Sequence, residues 1–241
     1  MALDYLRPGE CHLSLFPPSQ SPAEGQPYGR TQHIEGWTVS RPALLFGNVG
    51  PMATVLLFHH AQGQTAGFLA FADELRGAGH TIHAPDLYEG KTFQDLNEGV
   101  AHAEQVGFGE IIRRGAEAAT DLPVDIVYAG FSLGVMPAQA LAQTRPGAKG
   151  TILLHGCVPT SEFDSPWPEG LPLEIHIMDA DEWTADDRDV AKSLVQELDG
   201  AELFLYPGSA HLFADPSLDD YDEGAARLLK ERVLAFLRRI G

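Results

Sequence analysis

The stretch Asp125-Ile126-Val127-Tyr128-Ala129-Gly130-Phe131-Ser132-Leu133-Gly134-Val135 decides how the rest of the chain is read. Residues 125–129 are an apolar run of the kind that fills a buried strand. Residues 135–143 read as a helix, and Pro137 fits there because a helix tolerates proline in its first turn. Between them lies Gly130-Phe131-Ser132-Leu133-Gly134, a G-x-S-x-G pattern set between strand and helix. A serine on so sharp a turn sits in a strained backbone conformation. Glycines two residues either side remove the Cβ atoms that would clash as strand and helix close together. The turn lifts the Ser132 hydroxyl off the sheet and points the Leu133 N–H toward a developing oxyanion. The bare pattern also fits a tight glycine turn between core elements; its flanks favour a nucleophile.

Outward from this stretch, strands alternate with helices. Upstream, Ala53-Thr54-Val55-Leu56-Leu57-Phe58 is a continuous apolar run, the mark of a strand buried on both faces. A helix follows, with Phe68, Leu69, Ala72 and Leu75 at helical spacing and Gly77 and Gly79 closing it. Thr81-Ile82-His83-Ala84 is a second strand, and residues 93–119 read as helical with a break near Gly107 and Gly109. Downstream, Thr151-Ile152-Leu153-Leu154-His155, Leu173-Glu174-Ile175-His176-Ile177-Met178 and Glu202-Leu203-Phe204-Leu205-Tyr206 read as strands. Val190, Leu194, Val195 and Leu198 mark the buried stripe of one helix. Ala226, Leu229, Val233, Phe236, Leu237 and Ile240 mark a closing one. This alternation predicts an α/β fold, a mainly parallel sheet with helices on both faces. Ligands then bind beyond the carboxyl ends of the strands.

The first 35 residues are unlike the rest. Pro8, Pro17, Pro18, Pro22 and Pro27 are interspersed with Ser, Gln and Gly, which suggests an extended or poorly ordered arm. Residues 37–46 suggest an edge strand interrupted by Pro42. No linker divides residues 36–241, so one domain is expected there.

Composition narrows the partners. A net charge of −18 over 241 residues argues against nucleic acid and anionic membrane, and disfavours anionic substrates. Cys11 and Cys157 make no disulfide framework, which suits a reducing compartment. No apolar run approaches the roughly 20 residues of a membrane span. Met1-Ala2-Leu3-Asp4-Tyr5 lacks the basic and apolar regions of a signal peptide, so a cytoplasmic protein is expected.

A serine hydroxyl needs a base to take its proton, and the base needs an orienting acid. Among the ten histidines, His211 is favoured as base, because it follows the last strand in the loop Pro207-Gly208-Ser209-Ala210-His211. The acid is Asp179 or Asp181, both just past a strand end. The order serine, acid, histidine is that of α/β-hydrolases. The Ala61 N–H, in the loop His59-His60-Ala61-Gln62-Gly63, is the candidate second oxyanion donor. The His60 side chain then faces the pocket, or else packs beside the turn without chemical duty. His176, within a strand, reads as structural. His80 and His83 have no ligand set around them, and no metal is expected.

Taken together these residues resemble the dienelactone hydrolase family over about residues 50–240. The matching marks include the apolar strand before His59-His60-Ala61-Gln62-Gly63, Ala84-Pro85-Asp86-Leu87-Tyr88 and the serine turn. Trp167-Pro168-Glu169-Gly170, the Asp179-Ala180-Asp181 turn and Tyr206-Pro207-Gly208-Ser209-Ala210-His211-Leu212-Phe213 complete them. The resemblance implies an α/β-hydrolase core without a large lid domain. It places the acid at Asp181 and the base at His211, with His60, Tyr88 and Trp183 in the substrate pocket. The family's best known members carry cysteine as nucleophile, where this chain has Ser132. They place a glutamate beside it, where this chain has His60. They hold a substrate carboxylate with two arginines, where this chain reads Glu89-Gly90-Lys91 and Asp215. The expectation is therefore a cofactor-free serine hydrolase of small neutral carboxylic esters. Lactone or thioester hydrolysis is the alternative within the same machinery, and a non-catalytic ligand-binding protein of the same fold is the alternative outside it.

Overall fold

The structure, a computed structural model, describes residues 52–241. The arm expected over residues 1–35 and the strand expected over residues 37–46 lie outside the described residues. The strands are β1 (Thr54–Phe58), β2 (Thr81–His83), β3 (Val127–Phe131), β4 (Gly150–Leu154), β5 (Leu173–Met178) and β6 (Ala201–Tyr206). The helices are α1 (Ala66–Gly77), α2 (Leu96–Val106), α3 (Phe108–Ala118), α4 (Val135–Thr144), α5 (Asp187–Glu197) and α6 (Glu223–Ile240). The strands form one sheet in the order β2-β1-β3-β4-β5-β6, and every pair is parallel.

Successive strand residues point to opposite faces, and each face finds its own helices. Val55, Leu57, Val127, Ile152 and Leu154 pack against Phe68, Phe71 and Leu75 of α1 and Leu229, Val233 and Phe236 of α6. Leu56, Phe58, Tyr128, Leu153 and Ile175 pack against Ala103 of α2, Ile111 of α3, Leu141 of α4 and Leu194 of α5. Both faces of the central strands are thereby removed from water, which is why they read as unbroken apolar runs.

Local signals set most boundaries. Thr65 caps α1 by accepting the Phe68 N–H, and Asp95 and Asp222 do the same for α2 and α6. The expected break between α2 and α3 falls at Gly107, whose φ of 91° suits glycine. Two apolar positions expected in buried stripes are exposed, Leu69 on α1 and Val195 on α5. Phe71 and Ala191 fill those stripes instead, because the face that meets the sheet is rotated from the one the apolar spacing suggested. β3 extends two residues beyond the expected Ala129, since Gly130 and Phe131 still pair with Leu153 and Leu154 of β4.

Register is what assembles the site. Phe58 stands opposite Gly130, Phe131 opposite Leu154, Leu154 opposite His176, and Met178 opposite Tyr206. In a parallel sheet the loops after β1, β3, β4, β5 and β6 therefore leave at one end, side by side.

Candidate active site

The turn after β3 carries Ser132 with a φ of 48°, an uncommon conformation for a residue with a side chain. The neighbouring glycines have distinct reasons. A Cβ on Gly130 would lie 2.0 Å from the Gly134 carbonyl oxygen, so strand and helix could not close. A Cβ on Gly134 would lie 2.5 Å from the Phe58 carbonyl oxygen, so the start of α4 could not approach the end of β1. The close approach brings Ala61 and Leu133 to the same pocket wall as Ser132.

The loop after β6 places His211 Nε2 2.8 Å from Ser132 Oγ, and the loop after β5 places Asp181 Oδ2 2.7 Å from His211 Nδ1. Asp181 and His211 are buried while Ser132 remains half-exposed. The remaining partners hold both loops. Asp181 Oδ1 accepts the Trp183 N–H at 2.9 Å, and the Arg188 guanidinium donates to the Asp181 carbonyl at 2.5 Å. Asp220 accepts the N–H groups of His211 and Leu212. With Nδ1–H donated to Asp181, Nε2 of His211 is free to accept the serine proton. Asp179, the rival acid, points elsewhere and accepts the Gly208 N–H at 3.1 Å.

Ser132, His211, Ala61, Leu133 and Trp183 line a pocket of about 40 Å³. Its other walls are mostly apolar, among them Leu96, Val100, Phe108, Val135 and Met136. Three residues of the pocket were given no site role from the sequence: His155, Cys157 and Asp187. Burial pushes the Asp187 carboxyl up to about 6, although the Cys157 N–H, 3.3 Å from Oδ2, pulls the other way. Asp187 sits in an acidic run, Asp186-Asp187-Arg188-Asp189, that resembles any solvated helix start. Only its long-range contact with residue 157 distinguishes it.

Two residues expected in the pocket are elsewhere. His60 is fully buried behind the serine turn, with Nδ1 accepting the Gln62 N–H at 3.2 Å and Nε2 donating to Asp215 Oδ2 at 2.9 Å. Tyr88 is buried under the loop, its hydroxyl 3.4 Å from the Gly99 carbonyl. Neither lines the pocket. Asp215, expected to replace a substrate-binding arginine, is also fully buried. It accepts hydrogen bonds from His60, Thr65 and Ser217. Burial acts to raise its carboxyl, but those hydrogen bonds prevail and lower it to about 2. Burial lowers His60, against the pull of Asp215. The adjacent His59 is lowered to about 4 by burial and bridges the His60 carbonyl and the Leu87 N–H. Neither histidine of this pair lines the pocket; both fasten the loop that carries Ala61.

A parallel sheet with a serine on the turn after β3, and a histidine and an aspartate on later strand-end loops, defines an α/β-hydrolase. Residues 42–241 match the dienelactone hydrolase family, and the chain belongs to that family. It is accordingly a hydrolase. Several solved structures share the fold at low identity. A dienelactone hydrolase-like promiscuous phosphotriesterase from metagenomic libraries aligns with a TM-score of 0.64 at 17% identity, over 79% of this chain and 87% of that one. The dienelactone hydrolase of Anabaena variabilis aligns with a TM-score of 0.56 at 17% identity, over 79% and 88%. The apo form of Thermogutta terrifontis esterase 2 aligns with a TM-score of 0.52 at 19% identity, over 82% and 87%. No curated protein sequence matches the chain. Among the described residues, no helix is long and apolar enough to cross a membrane.

Proposed function

We propose that this protein hydrolyses small neutral carboxylic esters through an acyl-serine intermediate. The observation that carries this reading is the continuous chain Ser132 Oγ, His211 Nε2, His211 Nδ1, Asp181 Oδ2, with contacts of 2.8 and 2.7 Å. Ser132 Oγ attacks the ester carbonyl carbon while its proton passes to His211 Nε2. Asp181 holds the imidazole in the required tautomer and stabilises the imidazolium. The N–H groups of Leu133 and Ala61 hold the oxyanion of the tetrahedral intermediate. Collapse breaks the bond to the alcohol oxygen, which takes the proton from His211. Water, deprotonated by the same histidine, then attacks the acyl carbon; the bond to Ser132 Oγ breaks, Oγ takes the proton back from His211, and the acid leaves. No step calls for a metal or cofactor.

The small, mostly apolar pocket favours short acyl groups, and Asp187, the one carboxylate among the described residues that line it, disfavours anionic ones. The test is labelling with a fluorophosphonate probe and peptide mass spectrometry, beside a panel of chromogenic esters graded in size and charge. Label on Ser132 with turnover of short neutral esters is the expected result. A folded protein that neither takes the label nor turns over any ester sinks the reading.

A further inference from the structure

Next to the pocket at Ser132 lies a second, larger cavity. Leu96 and Trp183 line both, and the volumes are about 270 Å³ and about 40 Å³. The larger cavity borders the catalytic residues at three points. Gln62 follows Ala61, the Trp183 ring lies 5.9 Å from the His211 ring, and Asp220 Oδ2 accepts the His211 N–H at 3.1 Å. The lining is built from acceptors. Gln62 is only 4% exposed, and its amide nitrogen donates to the Phe93 and Gln94 carbonyls at 3.2 and 3.0 Å. The side-chain atoms both sealed and unpaired among the described residues are Thr151 Oγ1 and the two His155 nitrogens, so Gln62 Oε1, which has no partner there, is open. Asp95 Oδ1 accepts the Glu98 N–H, and Asp220 Oδ2 those of His211 and Leu212, which leaves one oxygen of each carboxylate free among the described residues. Asp219 is exposed beside them. No lysine or arginine among the described residues lines the cavity.

Resting on the ester-hydrolase reading above, we propose that this cavity binds the alcohol half of the ester, and that the alcohol is a polyol, a single sugar ring carrying a short acyl group. In that mechanism His211 gives its proton to the alcohol oxygen as the bond from that oxygen to the acyl carbon breaks, so the alcohol leaves on the side of His211. Trp183 and Asp220 put the larger cavity on that side. The alcohol then has room that the acyl group lacks. Carboxylate and amide oxygens accept hydrogen bonds, and hydroxyls supply the donors. The free acceptors come from three segments of chain, around residues 62, 95 and 219–220, which suits several hydroxyls spread round a ring better than one compact ammonium. Trp183, 43% exposed, offers an indole on which the C–H face of such a ring can stack. A plain alkyl alcohol meets none of these acceptors, and an anionic one meets only like charge.

The test holds the acyl group at acetyl and varies the alcohol among three primary alcohols, each on a six-membered ring. The esters are methyl 6-O-acetyl-α-D-glucopyranoside, cyclohexylmethyl acetate and the cationic piperidin-4-ylmethyl acetate. Each kcat/KM for acetate release is divided by the ester's own rate with hydroxide. The readout is the ratio of sugar ester to cyclohexyl ester, in which differences in folding or active fraction cancel. The wild-type ratio is expected to be about tenfold or more, and to fall about fivefold in Gln62→Met, which keeps the side chain's length without Oε1. Asp219→Ala, at an exposed position, carries the same comparison with a fall of about threefold if the Met variant does not take the fluorophosphonate label. A wild-type ratio near one, a ratio unmoved in the variant measured, or a preference for the piperidinium ester over the sugar ester overturns the proposal. A wild type labelled at Ser132 that shows no preference for the sugar ester, or no turnover of it, defeats only this inference; an unlabelled wild type inactive on every ester defeats the hydrolase reading beneath it.

Discussion

Two buried histidine–aspartate pairs lie among the described residues, and in the proposed mechanism only one moves a proton. His211 and Asp181 meet at 2.7 Å, His60 and Asp215 at 2.9 Å, and all four side chains are buried. The difference lies in what the second ring nitrogen finds. His211 Nε2 reaches a half-exposed serine hydroxyl in a pocket, whereas His60 Nδ1 reaches the Gln62 backbone N–H inside the core. A His–Asp contact is thus a means of fixing a ring, and the third partner decides whether that ring moves a proton or holds a loop. The second pair also joins two departures from the family pattern. His60 and Asp215, which stand where the resembled family carries a glutamate and an arginine, are each other's partners.

The largest expected effect falls on the first pair's third partner. Ser132→Ala should lower kcat by several orders of magnitude while the melting temperature stays close to wild type. Near wild-type turnover in pure variant protein would move the chemistry away from this turn. Next comes the ring's orienting acid. Asp181→Asn should lower kcat by roughly three to four orders of magnitude, because the amide no longer enforces the tautomer that leaves Nε2 bare. Asp179→Asn, which touches only the Gly208 N–H at the surface, should change kcat less than about tenfold. The reverse order would transfer the role to Asp179.

The second pair should fail differently. Asp215→Ala leaves His60, Thr65 and Ser217 without their shared acceptor, and should cost about 2–4 kcal/mol of stability at neutral pH. The Asp215 carboxyl is lowered to about 2 in the folded protein from an ordinary 3.8. Its ionised form therefore stabilises the fold above about pH 4, and that contribution is lost as pH falls toward 2. Denaturant unfolding at pH 7 and near pH 2 should show the gap between wild type and variant narrowing in acid. A variant of wild-type stability that has lost turnover would instead put this pair in the reaction.

How much of this the sequence foretells depends on the range of the interaction. The serine turn is legible because its requirements are local: an apolar strand, glycine two residues either side, a helix start. His211 and Asp181 are legible because they follow strand ends, and parallel register brings all strand ends to one side. The direction of the His60 ring is not legible, since it is set by a partner 155 residues away in sequence. His155 reads as the last residue of an apolar strand, although a histidine before Gly156 at a strand's carboxyl end is a signal that could have been used. Asp187 has no local signal, because what singles it out is burial against Cys157 across the pocket.

The smallest expected effect concerns charge in the pocket. A preference for neutral over anionic esters is expected, but its cause is not Asp215, which is sealed in the core. It is Asp187, the carboxylate that lines the pocket with His211 and Ser132. Its carboxyl is raised to about 6. Below that pH the pocket is close to neutral there, and above it an anionic substrate meets a like charge at short range. The efficiency ratio of a neutral ester to its carboxylate-bearing analogue should therefore rise as pH passes upward through about 6, by a few-fold to about tenfold. The ratio cancels whatever the two substrates share in the chemical step. Asp187→Asn should flatten the rise and, at neutral pH, lower the ratio. The same raised carboxyl implies that ionising Asp187 costs stability. Wild type should lose stability relative to Asp187→Asn as pH climbs from about 4 to about 6, because over that window the folded state holds a proton that the unfolded state has released. A pH-independent ratio in wild type, with Asp187→Asn superimposed on it, would show that the acyl group never comes near this carboxylate, and would place the anionic limit in the long-range field of the −18 charge instead.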